Sequence, residues 1–175
     1  MKPELRPGDV FAVDTEKFFA KLITLRNKIS ASDCNAIYNH NGVIIKEDST
    51  TFESRRKITH YNLDDYEGKQ ILIARPIVQG FVAESAIKRL NQYDGKTYPW
   101  WRIIVHAISP TLAKYLTWSG IPVCSELVAM YLNWVGVRHG GFFGTTPDML
   151  ADEWEHWREY EIIFNGKWPC KENYE

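Results

Sequence analysis

Three residues of this chain have the types and surroundings for nucleophilic chemistry at a carbonyl. Cys124 stands in Ile121-Pro122-Val123-Cys124-Ser125-Glu126-Leu127-Val128, where an apolar helical pattern begins just after a proline. Pro122 has no N–H to donate and favours a helix start behind it, which places Cys124 in the first turn. There the unpaired N–H groups and the helix dipole favour a thiolate. A buried cysteine that only fills space is the competing reading, because free cysteine packs like a small hydrophobe.

A nucleophilic thiol needs a base. Of the five histidines, His40 is the distinctive one, in Ala36-Ile37-Tyr38-Asn39-His40-Asn41-Gly42-Val43-Ile44-Ile45. It falls on a predicted strand, with Gly42 two residues on leaving room on the same face. The strand continues into Lys46-Glu47-Asp48-Ser49 and then Thr50-Thr51-Phe52-Glu53, which reads as a hairpin closed at Glu47-Asp48. In that register Glu53 faces Gly42 and is a diagonal neighbour of His40, about 7–8 Å away at the backbone and within side-chain reach. A third group that orients an imidazole completes a triad, and Glu53 qualifies. A shift of one residue would turn it to the other face.

The elements that must position these residues alternate. Gly8 to Val13 reads as a short buried strand after Pro7-Gly8, and Thr15 as the cap of a helix carrying Phe18, Phe19, Leu22, Ile23 and Leu25. Ile71 to Arg75 is a strand ended by Pro76. Gly80 to Tyr93 and Trp101 to Tyr115 have helical patterns, and Cys124 to Val135 is a helix halted by Gly136. Tyr160 to Phe164 is a final strand. Strands interleaved with helices around a hairpin, without regular βαβ units, predict an α+β fold.

The order Gly8-Asp9-Val10, Asn39-His40-Asn41-Gly42-Val43, Thr51-Phe52-Glu53-Ser54 and Val123-Cys124-Ser125-Glu126-Leu127-Val128 resembles the circularly permuted papain-like branch of the NlpC/P60 superfamily. The nearest likeness is to its YiiX/YebB-like cysteine hydrolases, in which the histidine strand precedes the cysteine helix. Tyr93-Asp94-Gly95-Lys96-Thr97-Tyr98 and Thr146-Pro147-Asp148-Met149-Leu150 resemble further segments of that group. Asn41 and Ser54 depart from it, standing where a small or branched apolar residue and an alanine are usual. The resemblance implies an antiparallel sheet packed against helices, the cysteine helix among them, in one domain over residues 1–175. It implies Cys124 as nucleophile, His40 as base and Glu53 as its orienting acid. The reaction implied is cleavage of an amide in a peptide or peptidoglycan stem peptide through a thioester. Acyl transfer or lipid ester cleavage with the same triad is the alternative chemistry, and a catalytically silent binding module the alternative class. The Cys124 N–H would serve the oxyanion, with Tyr38 and Ser125 as weaker candidates for oxyanion or pocket roles.

Composition excludes other classes. The 175 residues are 45% hydrophobic, enough for one compact core. Lys plus Arg (21) nearly balance Asp plus Glu (22), so no global field draws the chain to nucleic acid. The opening MKPELRPGDV lacks the apolar stretch of a signal peptide, and no apolar run is long enough to span a bilayer. The expectation is a protein of the cytoplasm, or one released without a signal peptide, as in a phage or a bacterium. Three widely spaced cysteines suit neither a zinc site nor a disulfide framework, so Cys34 and Cys170 are expected to be structural and no metal or other cofactor is predicted. The seven tryptophans are expected mostly in the core. His139 to Gly144 reads as a mobile loop near the cleft, and Arg55-Arg56-Lys57 as a solvated turn.

Overall fold

The structure is a computed structural model and describes residues 2–15, 37–97 and 120–169. The helices predicted after Thr15 and over Trp101 to Tyr115 lie outside the described residues, as do Cys34 and Cys170. Among the described residues six strands form one antiparallel sheet: β1 (Val10–Val13), β2 (His40–Ile44), β3 (Thr50–Ser54), β4 (Ile58–Asn62), β5 (Gln70–Pro76) and β6 (Tyr160–Lys167), in the order β4-β3-β2-β1-β5-β6. Among the described residues there are three α-helices, α1 (Gly80–Leu90), α2 (Cys124–Trp134) and α3 (Pro147–His156).

Alternation along the strands divides the interior in two. Val10, Ala12, Val43, Phe52, Leu72 and Ala74 point to the helices and meet Leu90 of α1, Leu127 and Val128 of α2, and Leu150 and Trp154 of α3. Phe11, Val13, Ile44, Ile71 and Ile73 point to the opposite face, covered by Leu5, Leu63, Tyr66 and Trp168. From Cys124 to Leu132 every residue of α2 is buried, which is why its sequence is apolar nearly all round. Fully burying each large side chain there contributes roughly 1.5–3 kcal/mol. Gly136, at φ 81°, ends the helix as expected.

The hairpin has the predicted register, with Gly42 opposite Glu53, Val43 opposite Phe52 and Ile44 opposite Thr51. Its turn covers Lys46 to Ser49, with Ser49 at φ 70°, and the Ile45 N–H donates to the Thr50 carbonyl. Three elements go beyond the expectations. Strand β4 follows β3 at once, a 3-10 turn over Leu63–Tyr66 brings Tyr66 back under the sheet, and Thr146-Pro147 opens α3. The Thr146 side chain accepts from the Met149 N–H at 3.3 Å, and Pro147 occupies the first helical position. No helix among the described residues is long and apolar enough to cross a membrane.

Candidate active site

His40 is the first residue of β2, and the chain ahead of it is clamped from three sides. The Ile37 and Tyr38 N–H groups donate to Asp148 Oδ1 in the first turn of α3, at 2.9 and 3.2 Å. Asn39 accepts at Oδ1 from the Thr15 N–H and hydroxyl at 2.9 and 2.7 Å, and its amide donates to Asp14 Oδ1 at 2.7 Å. Thr15 is therefore tied to the histidine strand. A strand end held this way leaves the imidazole few rotamers, which is what a positioned base requires.

The His40 ring meets Glu53 through Nε2, 2.7 Å from Oε2. With Nε2 engaged, Nδ1 is the nitrogen left for the Cys124 thiol, which is near enough to the ring to act on its titration. Cys124 is free, buried, and the first residue of α2. Two contacts fix that helix start. Ser54 Oγ donates to the Pro122 carbonyl at 3.2 Å, tying the end of β3 to the segment before the cysteine. The Glu126 carboxylate accepts the Val123 N–H at 3.1 Å, half of a capping box. Ser54, a departure from the resembled pattern, thus has a structural task. Asn41, the other departure, is fully buried on the helix side, where its amide reaches the Pro147 carbonyl at 3.4 Å and its Oδ1 has no partner.

Glu53 is fully buried and saturated. Oε2 accepts from His40, from Arg55 Nε at 2.8 Å and from the Tyr66 hydroxyl at 2.7 Å. Oε1 accepts from the Thr51 hydroxyl and from Arg55 Nη2 at 3.2 Å. Burial opposes its charge, yet the hydrogen bond and charge of His40, with those of Arg55, hold the carboxyl down at about 2. For His40 burial likewise opposes the charged form, but the negative charge and hydrogen bond of Cys124, then those of Glu53, raise it from 6.5 to about 9. The arrangement favours the imidazolium form of His40 beside the Glu53 carboxylate. A carboxylate with five donors has no lone pair left to take a proton.

The weaker candidates lie elsewhere. Ser125 Oγ donates to the Thr145 carbonyl at 2.6 Å and anchors the glycine-containing loop instead of facing the sulfur. The Tyr38 phenol is raised by burial, against which Gln70, at the start of β5, lowers it. Arg55 corrects the expected solvated turn: its side chain is only 17% exposed, whereas Arg56 and Lys57 are exposed. The signal for it was present, since Thr51, Glu53 and Arg55 alternate onto one face of the strand. Tyr66 had no such signal, because the 3-10 turn brings it in from a distance in sequence.

No family model matches the chain, and no curated protein does. Among solved structures it is similar to the metalloprotein yiiX of Escherichia coli O157:H7, with TM-score 0.62 over 95% of this chain and 99% of that one, at 16% identity. The chain shares the fold of yiiX. That protein is named a metalloprotein, and around Glu53 the residues of this chain do not suit a metal. Glu53 has both oxygens committed and a guanidinium against it, an arrangement that repels a cation. Among the described residues no group of three or more His, Cys, Asp or Glu is arranged to hold a metal ion.

Proposed function

We propose that this protein is a cysteine-dependent hydrolase of permuted papain-like fold, a single domain in which Cys124 is the nucleophile, His40 its base and Glu53 the residue that orients His40. The observation carrying this reading is the bond from a buried carboxylate to an imidazole that lies beside a free thiol at a helix start. The thiolate attacks a carbonyl carbon, its electron pair forming the C–S bond while the carbonyl pair moves to oxygen. The Cys124 N–H, in the first helical turn and without an intrahelical acceptor, stabilises that oxyanion. On collapse the C–N bond breaks, and His40 gives its proton to the departing amine. Water, deprotonated by His40, then hydrolyses the thioester and returns the thiol. The substrate class is an amide in a peptide or peptidoglycan stem peptide. Tyr38 and Ser125 shape the frame around the site, Tyr38 beside Gln70 and Ser125 with its hydroxyl on Thr145.

The test is the rate of iodoacetamide alkylation at Cys124 against pH, read by peptide mass spectrometry in wild type and His40→Ala. Rapid alkylation below pH 7 that disappears without His40 is expected. A wild-type Cys124 as slow as an ordinary thiol across that range would remove the nucleophile and leave a binding module on the same fold.

A further inference from the structure

The proposed triad ends at Glu53, but the hydrogen-bond network does not. Arg55 places Nε on one carboxylate oxygen at 2.8 Å and Nη2 on the other at 3.2 Å, the forked geometry that fixes a carboxylate plane as well as its position. Its third nitrogen, Nη1, donates to Asp65 Oδ2 at 3.1 Å. Its guanidinium carbon lies over the Tyr61 ring, 4.1 Å from the centroid, and over the Tyr66 ring at 4.7 Å. Tyr66 closes the circuit by donating its hydroxyl to Glu53. With two rings against it and all three nitrogens engaged, the guanidinium is not a site for an anionic substrate.

We propose that Arg55 is a positioning residue for His40, acting through Glu53: it aims the carboxylate at Nε2 and takes no part in binding substrate. The inference rests on the catalytic reading above and extends it by one residue. Its physical basis is that a glutamate side chain has three rotatable bonds, and a single imidazole contact would leave its plane free to turn. The fork removes that freedom, and the tyrosine rings fix the fork. The titratable and charged groups around Glu53 and His40 are Cys124 from α2, Tyr61 from β4, Asp65 and Tyr66 from the 3-10 turn, and Arg55 itself. Arg55 and His40 are the positive charges that lower the Glu53 carboxyl. Without Arg55, burial opposes the carboxylate with His40 as its remaining cationic support, and the two titrate as a coupled pair.

The experiment follows the imidazole by NMR in isotopically labelled full-length protein, wild type beside Arg55→Met, Arg55→Lys and Arg56→Met, with His40→Ala assigning the signal. In wild type the Glu53 carboxyl, held near 2, puts no inflection on the His40 Nε2 resonance in the mildly acidic range. Arg55→Met is expected to bring one in, moved up by about two pH units or more, into the range where buried carboxyls titrate. Arg55→Lys, which keeps charge but not the fork, is expected to move it by less, and exposed Arg56→Met to match wild type. A folded Arg55→Met without an acid-side inflection overturns the proposal. If Arg55→Met does not fold, Arg55→Lys decides, and a wild-type profile there overturns it. A merely structural role, in which Arg55 acts through Asp65 and the tyrosine rings and not on the carboxylate, would leave the profile in place. The readout does not depend on thiol reactivity, so an inert Cys124 would sink the hydrolase reading while this titration still judged Arg55.

Discussion

Arg75 grips Asp9 with Nε and Nη2, both at 2.8 Å, much as Arg55 grips Glu53. The two carboxylates are almost equally buried, and both arginines are 17% exposed. They differ in what else the carboxylate touches. Asp9 accepts the Arg6 N–H at 2.8 Å, and Arg75 donates on to the Glu4 carbonyl, so that fork fastens the N-terminal segment to β5. Glu53 instead accepts from an imidazole that lies beside a thiol. A buried arginine–carboxylate pair is therefore no sign of chemistry by itself; the group beyond the carboxylate assigns its task.

The sharpest way to break this comparison is to neutralise each acid. Glu53→Gln leaves the Arg55, Tyr66 and His40 donors facing an amide, and is expected to destabilise by about 3–5 kcal/mol in urea unfolding. It should also slow Cys124 alkylation at pH 6 roughly tenfold or more, as His40 loses a charged partner. Asp9→Asn should cost about 1–3 kcal/mol, with alkylation unchanged. Equal slowing in both variants would mean that general destabilisation, not the imidazole contact, controls the thiol.

Stability against pH separates the forks in another way. His40, raised from 6.5 to about 9, contributes stability that is complete below 6.5 and is lost as pH rises through about 9. Glu53, lowered from 4.5 to about 2, contributes stability that is present above 4.5 and is lost as pH falls through about 2. Their joint contribution is therefore largest between pH 4.5 and 6.5. His40→Ala should flatten the alkaline side of the urea-unfolding profile, and Cys124→Ala should flatten it in part, whereas Asp9→Asn should lower the whole curve without changing that side. An alkaline decline as steep in His40→Ala as in wild type would show that another group sets it.

The sequence made one half of this network readable and hid the other. The hairpin register follows from strict alternation and a short polar turn, so the Gly42–Glu53 pairing was legible before any coordinates. The cysteine helix was legible from Pro122, its apolar run and Gly136. Arg55 had only its alternation with Thr51 and Glu53 to mark it, a signal masked because three adjacent cations look solvated until a fold brings Tyr61 and Tyr66 back over one of them. Strand β4, Ile-Thr-His-Tyr-Asn, is a polar edge strand with one fully buried residue, too weak a pattern to read alone. Helix α3 had a sequence signature in Thr146-Pro147 and in the spacing of Leu150, Ala151 and Trp154, but it was read as a motif rather than as a helix start. Local pattern carries register and caps; side chains joined by long-range folding carry the rest.

The smallest expected effects come from a glycine beside each acid. A Cβ on Gly42 would meet Glu53 Cγ at 2.7 Å and the Phe11 ring at 2.5 Å, and that ring is fully buried. Gly42→Ala should therefore cost about 1–3 kcal/mol from overpacking and slow Cys124 alkylation a few-fold, because the clash falls on the stem that carries the carboxylate. Gly8, next to Asp9, has φ 102°, and a Cβ there would meet the Tyr131 hydroxyl at 2.7 Å. Gly8→Ala strains the backbone and displaces a hydroxyl that donates to the Gly8 carbonyl at 3.0 Å, a loss of similar size with no route to the thiol. Measured side by side, the two variants hold destabilisation nearly constant and vary only which acid is disturbed. Slower alkylation in Gly42→Ala alone ties reactivity to the placement of Glu53. Equal alkylation in both would mean that the carboxylate tolerates a displaced stem, with the Arg55 fork alone keeping its oxygens on His40.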